Sequence, residues 1–361
     1  MNMLDDYTEQ IEITSRRGYL LKDLAKSFLQ CLGEVGPISA GKLLHFTADM
    51  ISSGGLPLFE KLCWDYAYEH VGIASPRIFH FLFKRFRELK EQSAKLTMEV
   101  FYRKKEIQEQ LAEIVLILQE CPKKTKTKIP TVPMDTHENE SWLRSVLRTT
   151  DKMAVRKVYQ RNSDLEQMLH AGNEMVYAIQ EGATERALFW VKWLLEEDAI
   201  MKKKHGSGLT TVERGPLKQK TSVGYYIIAI LAEVYKEFAG KAMVRMHEEF
   251  QALLDIYRSD TTQRKKLDTI AIMIQLLTDV PKWKVPAAPS LVPDQTKLQR
   301  AISQVEEFFK EVLMLPLPKK LLPHTVTGIK QKKVKDSSKQ DKLQKKLDMI
   351  DEVTMNFYKM K

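Results

Sequence analysis

Little in this sequence builds a covalent or metal-bound framework. Its three cysteines, Cys31, Cys63 and Cys121, are odd in number and widely spaced, with no CxxC pair. That spacing argues against a disulfide scaffold or a structural zinc, and for a reducing compartment. The eight histidines include no HExxH or HxxxH pair, so no zinc-hydrolase site is expected. No window approaches 18 continuous apolar residues, and the opening Met1–Asp6 is acidic and polar where a signal sequence is basic and then apolar. Neither a membrane span nor secretion is expected, and the chain is read as intracellular, nuclear or cytoplasmic. Glycine (15) and proline (14) are scarce in 361 residues, a composition that favours helices over strands and turns.

Helical periodicity fills most of what remains. Leu20, Leu21, Leu24, Phe28 and Leu32 recur at spacings of three and four, and the pattern stops at Gly33 and Gly36-Pro37. A second helix is expected over 41–51 and a third over 57–70, ended by Gly72. Ser75-Pro76 then starts a fourth, with Ile78, Phe79, Leu82, Phe83, Phe86 and Leu89 inward. No glycine or proline follows before Cys121, so this pattern continues to Leu118; unbroken, it would span about 65 Å, and a kink or break is expected. Leu165, Met168, Leu169, Met175, Val176 and Ile179, then Ala187, Leu188, Trp190, Val191, Leu194 and Leu195, carry the densest stripes of a second block.

The expected fold class is all-α: two helical bundles joined by a Pro/Lys linker. The divisions are 1–120, a first bundle; 121–140, the linker; 141–280, a second bundle; 281–318, a proline-flanked helix; and 319–361, a basic tail. Residues 201–222, rich in Lys, Gly and Thr, read as a mobile loop.

No constellation converges on chemistry, and no catalytic, cofactor-binding or metal-ligating residue is assigned. Gly36 to Leu43 matches GxxxxGK, but Leu43 stands where a phosphate loop needs Ser or Thr, and a helix precedes it where a buried strand belongs. Ser207 between Gly206 and Gly208 mimics a nucleophile elbow without the strand. Glu196-Glu197-Asp198 points three ways around a helix, and helix-end solvation is the expected role. Phe79, Phe83 and Phe86 are expected in the core, whereas Phe81 falls off the inward stripe beside Lys84, Arg85 and Arg87 and is a candidate contact surface.

Charge is unevenly spread. Residues 319–361 hold twelve lysines against five acids, +7 of the net +10. Candidate anion-binding residues are Lys123, Lys124, Lys126 and Lys128 in the linker, Lys202, Lys203 and Lys204 in the loop, and Lys330, Lys332, Lys333, Lys335, Lys345 and Lys346 in the tail. Such lysines bind phosphate backbones by releasing counterions, or serve only as solvated linker.

Residues 51–82 carry Gly54-Gly55, Pro57, an apolar helix, Ala67-x-Glu69-x-Val71-Gly72-x-Ala74-x-Pro76-Arg77. This resembles the C-terminal collar of the replication-associated recombination ATPases, the RarA/MgsA group related to clamp loaders. Gly182–Glu197 is similar to the D-A-A-L-Y-W-L helix of the same family. The resemblance implies two diverged copies of one helical unit, over about 16–118 and 164–280. It also implies self-association, a setting near replicating or repaired DNA, and a structural corner of Gly54, Gly55, Pro57, Glu69, Gly72, Pro76 and Arg77. The family's ATPase domain is absent, so ATP turnover is not carried over. The expectation is a non-catalytic helical scaffold binding DNA, RNA or an acidic partner through its lysines. The alternative is an adaptor subunit of a larger protein complex, with Lys330–Lys335 as an import signal.

Overall fold

The computed structural model describes residues 14–212, 214, 223–240, 247–259, 263–278 and 291–317. The fold is all-α. Among the described residues extended pairing is confined to two isolated bridges, Thr14 with Leu20 and Asp164 with Thr210.

Helices α1 (Leu21–Gly33) and α2 (Pro37–Ser52) form a hairpin, and α3 (Leu56–Tyr66) follows it. Beyond α3 the backbone widens into a π-turn, Ala67–Val71, tightens into a 3-10 turn, Gly72–Ala74, and enters α4 (Arg77–Ser93). The long helix is broken as expected, into α4, α5 (Met98–Arg103) and α6 (Lys105–Glu120). The break has a packing cause: it turns Phe101 and Tyr102 fully inward, and the Gln108 amide donates to the freed Tyr102 carbonyl at 2.7 Å. Further on come α7 (Glu140–Val146), α8 (Met153–Arg156), α9 (Glu166–Gln180), α10 (Thr184–His205), α11 (Val223–Gly240), α12 (His247–Ser259) and α13 (Gln263–Thr278). Last are α14 (Gln295–Ser303) and α15 (Val305–Leu313).

The chain forms two compact units that interleave along the sequence. The first takes the residues up to Asp65, Lys84–Glu120 and those from Asp294 onward; the second takes Tyr66–Phe83 and Cys121–Pro293. The expected division into contiguous bundles over 1–120 and 141–280 gives way to this arrangement, because an apolar stripe says that a helix is buried without saying against what.

In the first unit α2 packs on α1, α6 and α15, and α6 also meets α5 and α14. The centre is α6, which buries Ile107, Leu111, Ile114, Val115, Leu116, Ile117 and Leu118 on almost all sides. Gln119, fully buried at its end, donates its amide to the Cys31 and Glu34 carbonyls, both at 2.8 Å, covering acceptors that the C-terminus of α1 leaves open.

In the second unit α9 and α10 are an αα-hairpin, turned by Gly182 at φ +69°. Helix α13 packs on α9, α10, α11, α12 and the turn Gly72–Ala74. Trp142 of α7 clusters with Trp190 and Trp193 of α10, and Trp142 and Trp193 are stacked 6.2 Å apart.

Candidate functional site

The lysine-rich segment after Cys121 has no regular structure, yet it is fastened down. The Lys124 N–H donates to the His70 carbonyl at 2.8 Å, and the Lys126 N–H to the Glu69 carbonyl at 3.0 Å. These carbonyls belong to the last residues of the π-turn, so the lysine segment caps it. The Lys126 ammonium is paired with the nearly buried Asp268 carboxylate, and further along Val132, Thr136 and His137 are buried. A free linker over 121–140 is therefore corrected to a pinned strap, with Lys123, Lys124 and Lys128 exposed along it.

The residues of the expected corner divide between the α2–α3 junction of the first unit and the π-turn region of the second. Gly54 (φ +88°) and Gly55 close α2, donating to the Ile51 and Met50 carbonyls at 2.9 and 3.0 Å. Pro57 lies in the first turn of α3. In the second unit Gly72 adopts φ +50°, Pro76 is buried, and Arg77 pairs with the buried Glu249 at 3.2 Å. Glu69 contributes its carbonyl to the strap. Tyr68 adds a 2.7 Å hydroxyl contact with Thr269.

Lys202, Lys203 and Lys204 are helical, a correction to the expected loop over 201–222. Helix α10 runs on to His205 and ends on Gly206 at φ +75°, the left-handed cap that glycine supplies. Lys202 pairs with Asp198 at 2.5 Å and Lys204 pairs with Glu138, which holds the Glu138 carboxyl below its ordinary pKa. Lys203 is exposed. Lys330, Lys332, Lys333, Lys335, Lys345 and Lys346 lie outside the described residues.

Glu196 and Glu197 do not simply point apart, since the Glu196 carboxylate reaches Nε2 of His137 at 3.6 Å and Glu197 takes the other ring nitrogen, and helix-end solvation is wrong for Glu197 and Asp198. Glu197 is fully buried: its Oε2 lies 2.8 Å from His137 Nδ1, and its Oε1 accepts the Glu138 N–H at 3.1 Å. His137 stacks on Trp193, centroids 5.8 Å apart. Asp198 accepts the Leu209 N–H at 2.9 Å. A Cβ on Gly208 would overlap that carboxylate, so the Gly-Ser-Gly stretch around Ser207 serves a helix cap and a latch.

The sequence reading missed a set of such latches. Glu174, in α9, accepts the N–H groups of Arg148 and Thr149. Its neighbour Asn173 takes the Lys152 N–H at 3.0 Å and gives to the Thr150 carbonyl at 2.9 Å. Asp164 accepts from Gln160 N–H and Thr210 and pairs with Arg214, whose guanidinium lies over the Tyr226 ring. Burial raises the pKa of the Tyr226 hydroxyl, which donates to the Met168 carbonyl at 2.9 Å. In the first unit Asp49 accepts the Arg17 N–H at 3.2 Å. Burial raises its pKa, and hydrogen bonds from Ser15 and Arg17 pull the other way. The one signal available in sequence was a charged or amide residue on the apolar side of a stripe, as at Asn173-Glu174 before Met175.

The GxxxxGK stretch is the start of a helix and not a phosphate loop. Gly36 precedes α2, Pro37 is its first residue, and Gly41 and Lys42 lie inside the helix. They line a groove of about 490 Å³ in the first unit, with Tyr19, Ser27, Gln30, Cys31, Glu34, His45, Phe46 and Phe308. The Tyr19 hydroxyl is 3.3 Å from His45 Nε2. Burial, then the nearby Arg17, push the His45 pKa down. Phe81 is half-buried, so the expected exposed aromatic is not there. No family model, curated protein or solved structure matches the chain.

Among the described residues no group of three or more His, Cys, Asp or Glu side chains is placed to hold a metal ion. No helix among them is long and apolar enough to cross a membrane. Burial raises the pKa of all three thiols, that of Cys121 to about 12. They are protonated at neutral pH and poor nucleophiles. What the arrangement offers chemically is a row of exposed lysines on a backbone held in place and an amphipathic groove between α1 and α2.

Proposed function

We propose that the protein is a non-catalytic helical scaffold that holds an anionic partner, nucleic acid foremost, on its lysine-rich strap and tail. One observation carries this reading. The strap's backbone is bonded at Lys124 and Lys126 while Lys123, Lys124 and Lys128 stay exposed, so three cations are displayed from an ordered surface. A pre-ordered row binds phosphates without the entropy cost of arranging a loose chain. The carboxylates that sequence alone offers as reactive groups are engaged with backbone amides, which supports a structural role for the interior. Collar-like self-association and a place near replication or repair rest on the resemblance of residues 51–82.

A second reading has its own support. Lys126, Lys202 and Lys204 are neutralised by Asp268, Asp198 and Glu138, which suits an adaptor whose lysines stabilise its own fold and whose partners are proteins. Binding of the full chain to single- and double-stranded DNA and to RNA, titrated with salt, separates the two. The scaffold reading expects affinity to fall steeply with salt, and both deletion of 319–361 and joint Lys123→Glu, Lys124→Glu, Lys128→Glu exchange to flatten the slope. Absence of retention at low salt, with copurifying proteins indifferent to nuclease, establishes the adaptor instead.

A further inference from the structure

We propose that the groove between α1 and α2 is a binding site for a small zwitterionic aromatic molecule of the amino-acid class, with Lys42 holding its acid group and Glu34 its ammonium. The site is separate from the lysine strap and independent of the reading above.

The groove is built by helical spacing. Ser27, Gln30 and Cys31 of α1, with Glu34 just beyond its end, line one side, and Gly41, Lys42, His45 and Phe46 of α2 line the other. Tyr19 and Phe308 add rings, and Tyr19 and Phe46 lie edge to face with centroids 5.9 Å apart. The lining thus sets the rings of Tyr19, Phe46 and Phe308 among polar and charged side chains, Ser27, Gln30, Glu34, Lys42 and His45, which suits a guest with both a ring and charged groups.

Gly41 marks the space as kept open. It sits in the interior of α2 at an ordinary helical φ, where glycine costs about 1 kcal/mol relative to alanine, and a Cβ there would meet no atom within 4 Å. Neither backbone geometry nor crowding calls for glycine, and its missing side chain leaves the groove open to a guest lying against the helix. The charges at the rim are of both signs. Lys42 and Glu34 are exposed and both reach the Cys31 thiol electrostatically, in opposite senses. No ion pair joins them among the described residues. His45 is neutral near pH 7, which leaves Lys42 as the cation of the lining. A purely anionic or purely cationic guest leaves one rim charge unmatched, whereas a zwitterion satisfies both.

The test is calorimetric titration of the full chain with L-tryptophan, tryptamine and indole-3-propionate, which share a ring and differ in charge. L-tryptophan is expected to bind one to one and tightest, each missing charge weakening binding about threefold, as exposed ion pairs do. Lys42→Gln reduces L-tryptophan to the level of tryptamine, and Glu34→Gln reduces it to that of indole-3-propionate. Gly41→Leu abolishes binding of all three, while Gly41→Ala, the folding control, raises the melting temperature. Equal affinity for the three probes, no binding of L-tryptophan up to its solubility, or unchanged binding by Gly41→Leu overturns the proposal.

Discussion

Glu174 and Thr149 are 25 residues apart in sequence, and the carboxylate of the first accepts the backbone N–H of the second at 2.8 Å from within α9. Glu174 is 1% exposed and takes the Arg148 N–H as well. Glu174→Ala would strand both donors, which are part-buried, so each falls toward the lower end of the about 1–3 kcal/mol that a stranded buried donor costs. The expected loss is about 3 kcal/mol in urea-unfolding free energy. Glu174→Gln, which keeps an acceptor, is expected to lose less than half of that.

Asp49 gives the first unit a pH dependence of definite sign. Burial raises its folded pKa above the ordinary carboxylate value, so the folded state favours the protonated form. Between the unfolded pKa and the raised folded one the native state binds more protons, and this group's contribution to stability falls as pH rises through that window. Below the window the penalty is absent; above it the penalty is full. Asp49→Asn is expected to flatten the unfolding free energy against pH in mildly acidic buffers, and an unchanged profile would assign the dependence to other groups.

Gly72 isolates backbone strain from crowding. Its φ of +50° disfavours any L side chain, yet an added Cβ would meet only Ile272 Cδ1 at 3.6 Å, an ordinary contact. Gly72→Ala is therefore expected to cost about 1–3 kcal/mol, the backbone penalty of φ +50° with ψ −131°, a region essentially confined to glycine, read as a lower urea midpoint at unchanged slope.

The strap's fastening can be loosened without touching its exposed lysines. Asp268→Asn removes the partner of Lys126 and leaves the Lys124 and Lys126 amide bonds in place. Trypsin cleavage within 123–128, timed by mass spectrometry, is expected to accelerate severalfold, since cleavage follows the open population of a segment. Cleavage elsewhere should keep its pace.

Fold class was legible because burial follows period: Ile78, Phe79, Leu82, Phe86 and Leu89 are all within 3% exposure, as their spacing requires, while Phe83, expected in the same stripe, is only partly buried at its edge. The extension of α10 to His205 was legible in principle. Lys202-Lys203-Lys204 read as loop by composition, although Gly206 just beyond them is the residue that ends helices in the left-handed conformation. The strap was hidden because its order comes from the carbonyls of a π-turn, and a π-turn leaves no periodic trace in side-chain polarity. The groove was half visible: Gly41-Lys42 stood out by motif, but its partners on α1 and α15 are chosen by packing, which one chain's pattern does not encode.

The interleaving has a consequence for synthesis. Helices α14 and α15 belong with α1, α2 and α6, and they leave the ribosome after every residue of the second unit has been made. The earliest helices must wait, with apolar faces uncovered, for the latest ones. Neither unit can be produced from one uninterrupted stretch of message, and a chain stopped near residue 290 would leave the first unit without α14 and α15.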